Sequence, residues 1–396
     1  MEVVGAAVLD FGSAAFIADP YPTYAALRRE SPVLWHEPSQ LWLTFRYADV
    51  SAVLRDRRLG RIWRDHEPRD AFEPFNLLHR HALLESEPPD HTRLRRLVQG
   101  AFARGHVERL RPRIRAIADE LLDRVAGAGR MDLLADYAEP LPVIVIAELL
   151  GVPEADRHLL RPWSNAIVKM YEYERAPGVD ITAVRAAADF ARYLRGMRAE
   201  RRARPREDLV SSLVEIEDGG ERLSEDELVA TCVLLLNAGH EASVNVLGNG
   251  MTALLHHPDQ LARVRADPAL VPTAVEELIR FDPPLQLFER TATEDVEVGA
   301  HRVPAGAKVG ALLGAANRDP EAFAEPDRLD VARTPNPHVG FGAGIHFCVG
   351  APLARVELQV SLDTLLRRLP RLALAAEPEL RPTYVLRGRR EVQVSF

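Results

Sequence analysis

Cysteine is almost missing from this chain: only Cys232 and Cys348 occur among its 396 residues. Two thiols cannot build a disulfide framework, so a reducing, cytoplasmic location is the expectation. Long hydrophobic runs are missing too. The richest, Leu141 to Val152 and Val229 to Ala238, are short or interrupted, below the roughly 18 apolar residues of a membrane span. No basic region followed by an apolar run opens the sequence, so no secretory signal is expected. An excess of positive charge is lacking as well. The formal net charge is −8, which argues against nucleic acid as the main partner. Lysine occurs only at Lys169 and Lys308, a compositional bias without mechanistic weight. Internal repeats and interdomain linkers are absent, while 47% of the residues are hydrophobic. That composition builds a large core, and a single domain over residues 1–396 is expected.

What is present is mostly helical. A helix following Tyr21-Pro22-Thr23-Tyr24, strand-like runs at Val33 to His36 and Leu41 to Phe45, and another helix fill the first 60 residues. Leu59 to Glu87 reads as irregular, a long loop of the kind that is usually functional. Helical periodicity runs from Asp90 to His257, with breaks at Gly127-Ala128-Gly129, Gly151-Val152-Pro153, Ala176-Pro177-Gly178 and Asp218-Gly219-Gly220. Ser224 and Glu227 form a capping box, opening a helix that continues to His257, about 50 Å at 1.5 Å per residue. A helix from about Pro272 to Phe281, short strands up to Asn317, a helix from Ala351 and a strand-like tail follow. The fold class expected is mainly α with a smaller β-rich region.

The chemistry centres on Cys348, in the run Phe341-Gly342-Ala343-Gly344-Ile345-His346-Phe347-Cys348-Val349-Gly350. Flanking glycines let a flat partner and backbone amides approach the thiol. N–H groups aimed at sulfur favour the thiolate, the form that ligates metals. A buried structural thiol beside a turn is the plainer alternative. A zinc site from His338, His346 and Cys348 is disfavoured, because structural zinc takes four ligands and Cys232 belongs to an apolar run. The ten-residue pattern resembles the haem-ligating loop of the cytochrome P450 family, Phe-Gly-x-Gly-x-His-x-Cys-x-Gly, and the resemblance extends over nearly the whole chain. It implies that family's fold, with haem b (iron protoporphyrin IX) buried between the long central helix and the loop. Cys348 would be the axial thiolate, which favours O–O cleavage, framed by Phe341, Gly342 and Gly350.

The long helix carries Asn237-Ala238-Gly239-His240-Glu241-Ala242-Ser243 at its middle. A glycine there costs about 1 kcal/mol relative to alanine, and an acid in an apolar stretch carries a desolvation cost. Taken alone, the segment marks a close helix contact and a solvated Glu241. The resemblance implies instead that it passes over haem, with small residues leaving room for dioxygen and substrate and Glu241 in proton delivery. Here the chain departs from the family. Threonine usually follows the acid and helps deliver protons; this chain has Ala242. Ser243 lies about 100° further round the helix and is no simple replacement. A substrate hydroxyl or an ordered water is expected to supply the missing hydrogen bond.

Glu277 and Arg280, at i and i+3, would by themselves be an exposed pair worth about 0.2–0.5 kcal/mol. The resemblance implies a buried network in which Arg328 joins them to support the loop. His91, Arg95, Arg290 and His346 would singly be surface residues; the resemblance makes them ligands of the haem propionates through charge-assisted hydrogen bonds. It places substrate contacts at Leu234, Asn237, Ala238, Ala242, Gln286, Leu287, Phe288 and Val385, with Asn237 and Gln286 as orienting groups. Trp163, Met170, Tyr171 and Tyr173 are roof candidates, though such a stripe is more often core. Arg93 and Arg96 are candidates for a docking patch.

The implied activity is that of a monooxygenase using dioxygen to hydroxylate or otherwise oxidise a small, secondary-metabolite substrate. Electrons would come from a ferredoxin and its reductase, since no flavin or iron–sulfur segment is recognisable in the sequence. Oxidative C–C or C–N coupling or cyclisation without oxygen insertion is the alternative within the family. A non-catalytic haem sensor is a remoter one, weighed against by Glu241 and the small residues beside it.

Overall fold

The computed structural model describes residues 9–172, 175–216 and 222–396. The Asp218-Gly219-Gly220 break and the roof candidate Tyr173 lie outside the described residues. The strand-like runs near the N-terminus form β1 (Val33–His36) and β2 (Leu41–Thr44), an antiparallel hairpin with Trp35 opposite Trp42. Side chains alternate across the strand, so Leu41 and Leu43 are buried while Trp42 is half-buried. With β3 (Leu59–Gly60), β4 (Leu287–Ala292) and β5 (Lys308–Leu312) they make one sheet, ordered β1-β2-β5-β4-β3. The β2–β5 pairing is parallel and the others are antiparallel. The tail, expected to alternate like strands, forms only Ala373–Leu374 and Gln393–Ser395, the latter also pairing with Arg130–Asp132.

Where a long loop was expected, residues 69–80 form helix α1 (Arg69–Arg80). Pro74 within it and the surrounding charges mask its period in the sequence. Tertiary contacts stabilise it nonetheless. Phe75 and Leu78 are buried, and the Asn76 side chain accepts the His66 N–H (2.8 Å) and donates to the His66 carbonyl (3.0 Å). Then come α2 (Asp90–Gln99), α3 (Val179–Ala203) and α4 (Glu225–His256). The capping box of α4 is formed: Ser224 N–H donates to Glu227 at 2.8 Å and Glu227 N–H to Ser224 Oγ at 3.2 Å. Most of its 32 residues are buried against neighbouring helices, among them α5 (Val271–Phe281) and α6 (Ala351–Arg368). Cys232 is fully enclosed in this helical core, and burial pushes its thiol up to about 12. It is a structural cysteine. Among the described residues no helix is long and apolar enough to cross a membrane.

Candidate functional site

Residues 341–350 close a tight turn in front of α6. Gly342 N–H donates to the Val339 carbonyl (2.8 Å), Cys348 N–H to that of Phe341 (3.0 Å) and Phe347 N–H to that of Gly344 (3.1 Å). Gly342 and Gly344 both adopt φ +71°, where any Cβ is strained. A Cβ on Gly344 would also lie 2.5 Å from the Leu54 carbonyl oxygen, so a larger residue would unseat the loop. Cys348 stands just ahead of the N-terminus of α6, with the Gly350 and Ala351 N–H groups directed at its sulfur. Burial pushes the thiol above its ordinary value; those amides, Arg95 and Arg355 oppose it without outweighing it. The amides alone therefore do not hold the thiolate. A cation on the sulfur would reverse the balance, because a coordinated thiol loses its proton outright.

Basic side chains gather beside this turn. Arg95, one turn beyond His91 on α2, donates to the Phe347 carbonyl at 2.9 Å. The His91 and His346 rings are 4.5 Å apart, and β4 supplies Arg290, 4.5 Å over the Phe288 ring. Burial first, then His346 and Arg95, push His91 down to about 4, and its Nε2 is buried without a partner among the described residues. Arg290 is 2% exposed and bonds the Glu289 carbonyl (3.2 Å); burial and then Arg61 push it down to about 9. His346 is engaged differently, its Nε2 lying 2.8 Å from Glu87. Burial raises the Glu87 carboxyl, but hydrogen bonds from His346 and the Arg61 N–H (2.6 Å) outweigh it and hold it below the usual range. Glu87 and Arg61 escaped the sequence reading because they lie in the segment without periodicity. A cleft of about 630 Å³ opens here, lined by Arg61, Trp63, Arg80, Glu85 and Glu87 among others. Its charged walls differ from the apolar pocket expected for substrate.

The network behind the loop corrects one residue. Glu277 and Arg280 are both fully buried and bidentate, with Arg280 donating at 2.7 and 2.8 Å. Their third partner is Arg333, not Arg328: Arg333 Nε donates to both Glu277 oxygens at 3.0 and 3.1 Å. Asp330 N–H (2.9 Å) and Asn336 (3.2 Å) complete the shell of the carboxylate. The Arg328 side chain is 58% exposed and pairs with Glu325 and Asp330; only its carbonyl meets Arg280, at 3.3 Å.

One face of α4 looks into open space. Within a buried stretch, Leu234, Ala238 and Ala242 are the less buried positions at i, i+4 and i+8. A Cβ on Gly239 would meet no atom within 4 Å. Glu241 is buried, 3.7 Å from Arg381; burial pushes its carboxyl above the ordinary range, with Arg381 opposing and Glu139 assisting. Ser243, taken from sequence as part of the catalytic segment, is buried and lies against Glu357 on α6 instead. Gln286 is not an orienting group. Its Nε2 donates to the Pro283 carbonyl (2.7 Å) and its Oε1 accepts from Tyr24 (3.2 Å), because β4 starts inside an apolar cluster that also takes in Leu287 and Val385. Trp163 stacks on Phe190 and Met170 is core, whereas Tyr171 remains 38% exposed. Arg93 pairs with Glu227 at the start of α4, which removes it from a free docking patch.

The buried Glu357 has a pH consequence. Burial lifts its carboxyl to about 8, the Ser243 hydroxyl opposing. A folded value above the unfolded one means that the fold favours the neutral acid. Its contribution is complete below about pH 4.5 and is lost as pH rises through about 8. Glu357→Gln is therefore expected to lose a few degrees less of melting temperature than wild type between about pH 6 and about pH 9. Equal losses in thermal melts of the two proteins would contradict this.

A thiol at a helix start, buried basic groups beside it with His91 Nε2 unpartnered among the described residues, and an open helix face of small residues define a thiolate-ligated cofactor enzyme. A family model described as cytochrome P450 matches residues 182–383. Cytochrome P450 monooxygenase PikC of Streptomyces venezuelae is 43% identical over 403 aligned residues, covering 98% of this chain and 94% of its own. Vitamin D(3) 25-hydroxylase of Pseudonocardia autotrophica is 42% identical, covering 98% and 96%. The solved structure of P450BioI with a hexadec-9Z-enoic acid ligated acyl carrier protein has a TM-score of 0.93 and 36% identity, over 97% of this chain and 99% of that one. This chain belongs to the cytochrome P450 family: it is a monooxygenase-type oxidoreductase whose cofactor is haem. The residues present fit that group. The orphaned His91 Nε2 and the buried Arg290, which pairs with no carboxylate among the described residues, suit an acidic edge.

Proposed function

We propose that the chain oxidises a small apolar molecule of the secondary-metabolite kind, usually by hydroxylation, and that the substrate itself completes the proton path. Cys348 Sγ would hold the haem iron, and His91 and Arg290 would take the propionates, with Arg95 and His346 alongside. Phe341, Gly342 and Gly350 shape the turn; Glu277, Arg280 and Arg333 hold it from behind. Haem, when bound, supplies the iron that activates dioxygen. Electrons come from a ferredoxin and its reductase in the cytoplasm, to one catalytic domain. A relative named for vitamin D(3), and a solved relative in complex with an acyl carrier protein that carries hexadec-9Z-enoic acid, support an apolar substrate.

The observation that carries this reading is the pairing of Glu241 with Ala242. A buried carboxyl raised by desolvation holds its proton to higher pH than an exposed one does. Ala242 has no hydroxyl to pass it on, and the buried Ser243 lies against Glu357 on α6. A substrate hydroxyl, or an ordered water that it retains, fills that gap beside Leu234, Ala238 and Phe288. Ala242→Thr is the test. With a hydroxyl-bearing substrate the product formed per NADH consumed should fall about fivefold, and with its deoxy analogue it should rise about as much, the worth of one hydrogen bond near 1 kcal/mol. Unchanged coupling with both substrates sinks the idea. Oxygen content of the product separates hydroxylation from coupling or cyclisation.

A further inference from the structure

A second cleft lies outside the haem site, between the helix Arg157–Val168 and α3. Its volume is about 470 Å³. Tyr193, Gly196, Met197 and Glu200 line it from α3 at i, i+3, i+4 and i+7, which is one helical face. Glycine inside a helix costs about 1 kcal/mol relative to alanine. Close packing would justify that cost, but a Cβ on Gly196 would meet no atom within 4 Å. The glycine instead leaves the helix face open to the cleft.

Two aromatic rings form part of the wall. Trp163 stacks on Phe190 at 5.2 Å, which holds its ring, and lies 5.8 Å from the Tyr193 ring. Tyr193 donates its hydroxyl hydrogen to Asp156 at 2.9 Å. Burial and that bond keep the hydroxyl protonated, so Asp156 carries the charge of the pair. The arginines of the wall are already matched. Arg192 pairs with Asp189 at 2.7 Å, and Arg201 pairs with Asp208 and Glu200. Glu200 also takes Arg206. Asp156 is half-buried and pairs with no cation among the described residues. The cleft therefore holds one uncompensated carboxylate beside an aromatic wall.

We propose that this cleft binds an organic ammonium cation with an apolar body, its charge set between Asp156 and the Trp163 and Tyr193 rings. A ring face attracts a cation within about 6 Å of its centroid, and the carboxylate adds direct attraction between opposite charges. The body of the ligand takes the space over Gly196 and Met197. A neutral ligand leaves Asp156 unbalanced, and an anionic one is repelled by it. The site is separate from the place of oxidation and selects the opposite character to an uncharged, apolar substrate.

The probes are benzyltrimethylammonium, 2-phenylethanol and phenylacetate, which are cationic, neutral and anionic at similar size. Each is titrated by calorimetry into holoenzyme saturated with 4-phenylimidazole, which occupies the haem pocket. Benzyltrimethylammonium is expected to bind wild type about tenfold tighter than 2-phenylethanol, with phenylacetate weaker still. Asp156→Asn keeps an acceptor for the Tyr193 hydroxyl and removes the charge, so that preference should vanish. Gly196→Leu fills the cleft and should abolish binding, while the melting temperature holds or rises. If the leucine variant does not fold, Gly196→Ala should weaken binding severalfold. Equal affinities for the three probes in wild type, or unchanged binding in Asp156→Asn, overturns the proposal. So does loss of the 4-phenylimidazole-bound Soret spectrum along the titration, which would place the probe at the haem.

Discussion

Replacing Cys348 with serine is expected to abolish the red-shifted band of the reduced carbon monoxide complex, and turnover with it, in a protein that still folds. The loop does not depend on the sulfur for its shape. Cys348 N–H bonds the Phe341 carbonyl and Ala351 N–H bonds the Cys348 carbonyl at 3.3 Å, and both bonds survive the change. The turn is set by Gly342 and Gly344 in the left-handed region. What disappears is a ligand atom that loses its proton readily on a metal; a hydroxyl is a far weaker acid and a harder donor. The Gly350 and Ala351 N–H groups would bond the new oxygen, so little stability is lost. Cys232→Ser is the control with the opposite outcome. It should keep the band while costing about 1–3 kcal/mol, because its hydroxyl would be buried in an apolar core. Spectra of the reduced carbon monoxide complexes and denaturant melts check both. A retained band in Cys348→Ser would remove the axial assignment.

Local signals were legible in the sequence and distant geometry was not. The Ser224–Glu227 capping box marks the start of α4 because both partners lie within one turn. The glycine-framed turn around Cys348 is likewise a matter of neighbouring residues. Helix α1 was hidden because Pro74 and a run of charges obscure a period that packing of Phe75, Leu78 and Asn76 enforces. Gln286 looked available because sequence cannot show that Tyr24 lies across from it, 262 positions away. His91 and Arg290 were named only through the resemblance; the geometry adds that both are buried and that His91 Nε2 has no partner among the described residues. Glu87, which occupies His346, had no signal at all in an aperiodic segment.

Arg333 and Arg328 offer the sharpest contrast, because the resemblance favoured one and the geometry selects the other. Arg333→Leu is expected to destabilise the protein by about 3–5 kcal/mol or to prevent haem retention, the range for breaking a buried charge network by removing one member. Glu277 would keep Arg280, but Arg333 also donates to the Ala324, Glu325 and Arg328 carbonyls at 2.7, 3.3 and 3.0 Å. Those bonds hold the segment leading to the loop in its reversed path, so their loss loosens the support behind Cys348. Arg328→Leu removes only exposed pairs with Glu325 and Asp330, worth about 0–1 kcal/mol. Its backbone carbonyl, the one atom that Arg280 uses, is untouched by the substitution. Urea melts and the haem-to-protein absorbance ratio of the two variants measure the difference. Equal losses, or the larger loss at Arg328, would mean that Glu277 is compensated by a different arginine from the one that meets it in the fold.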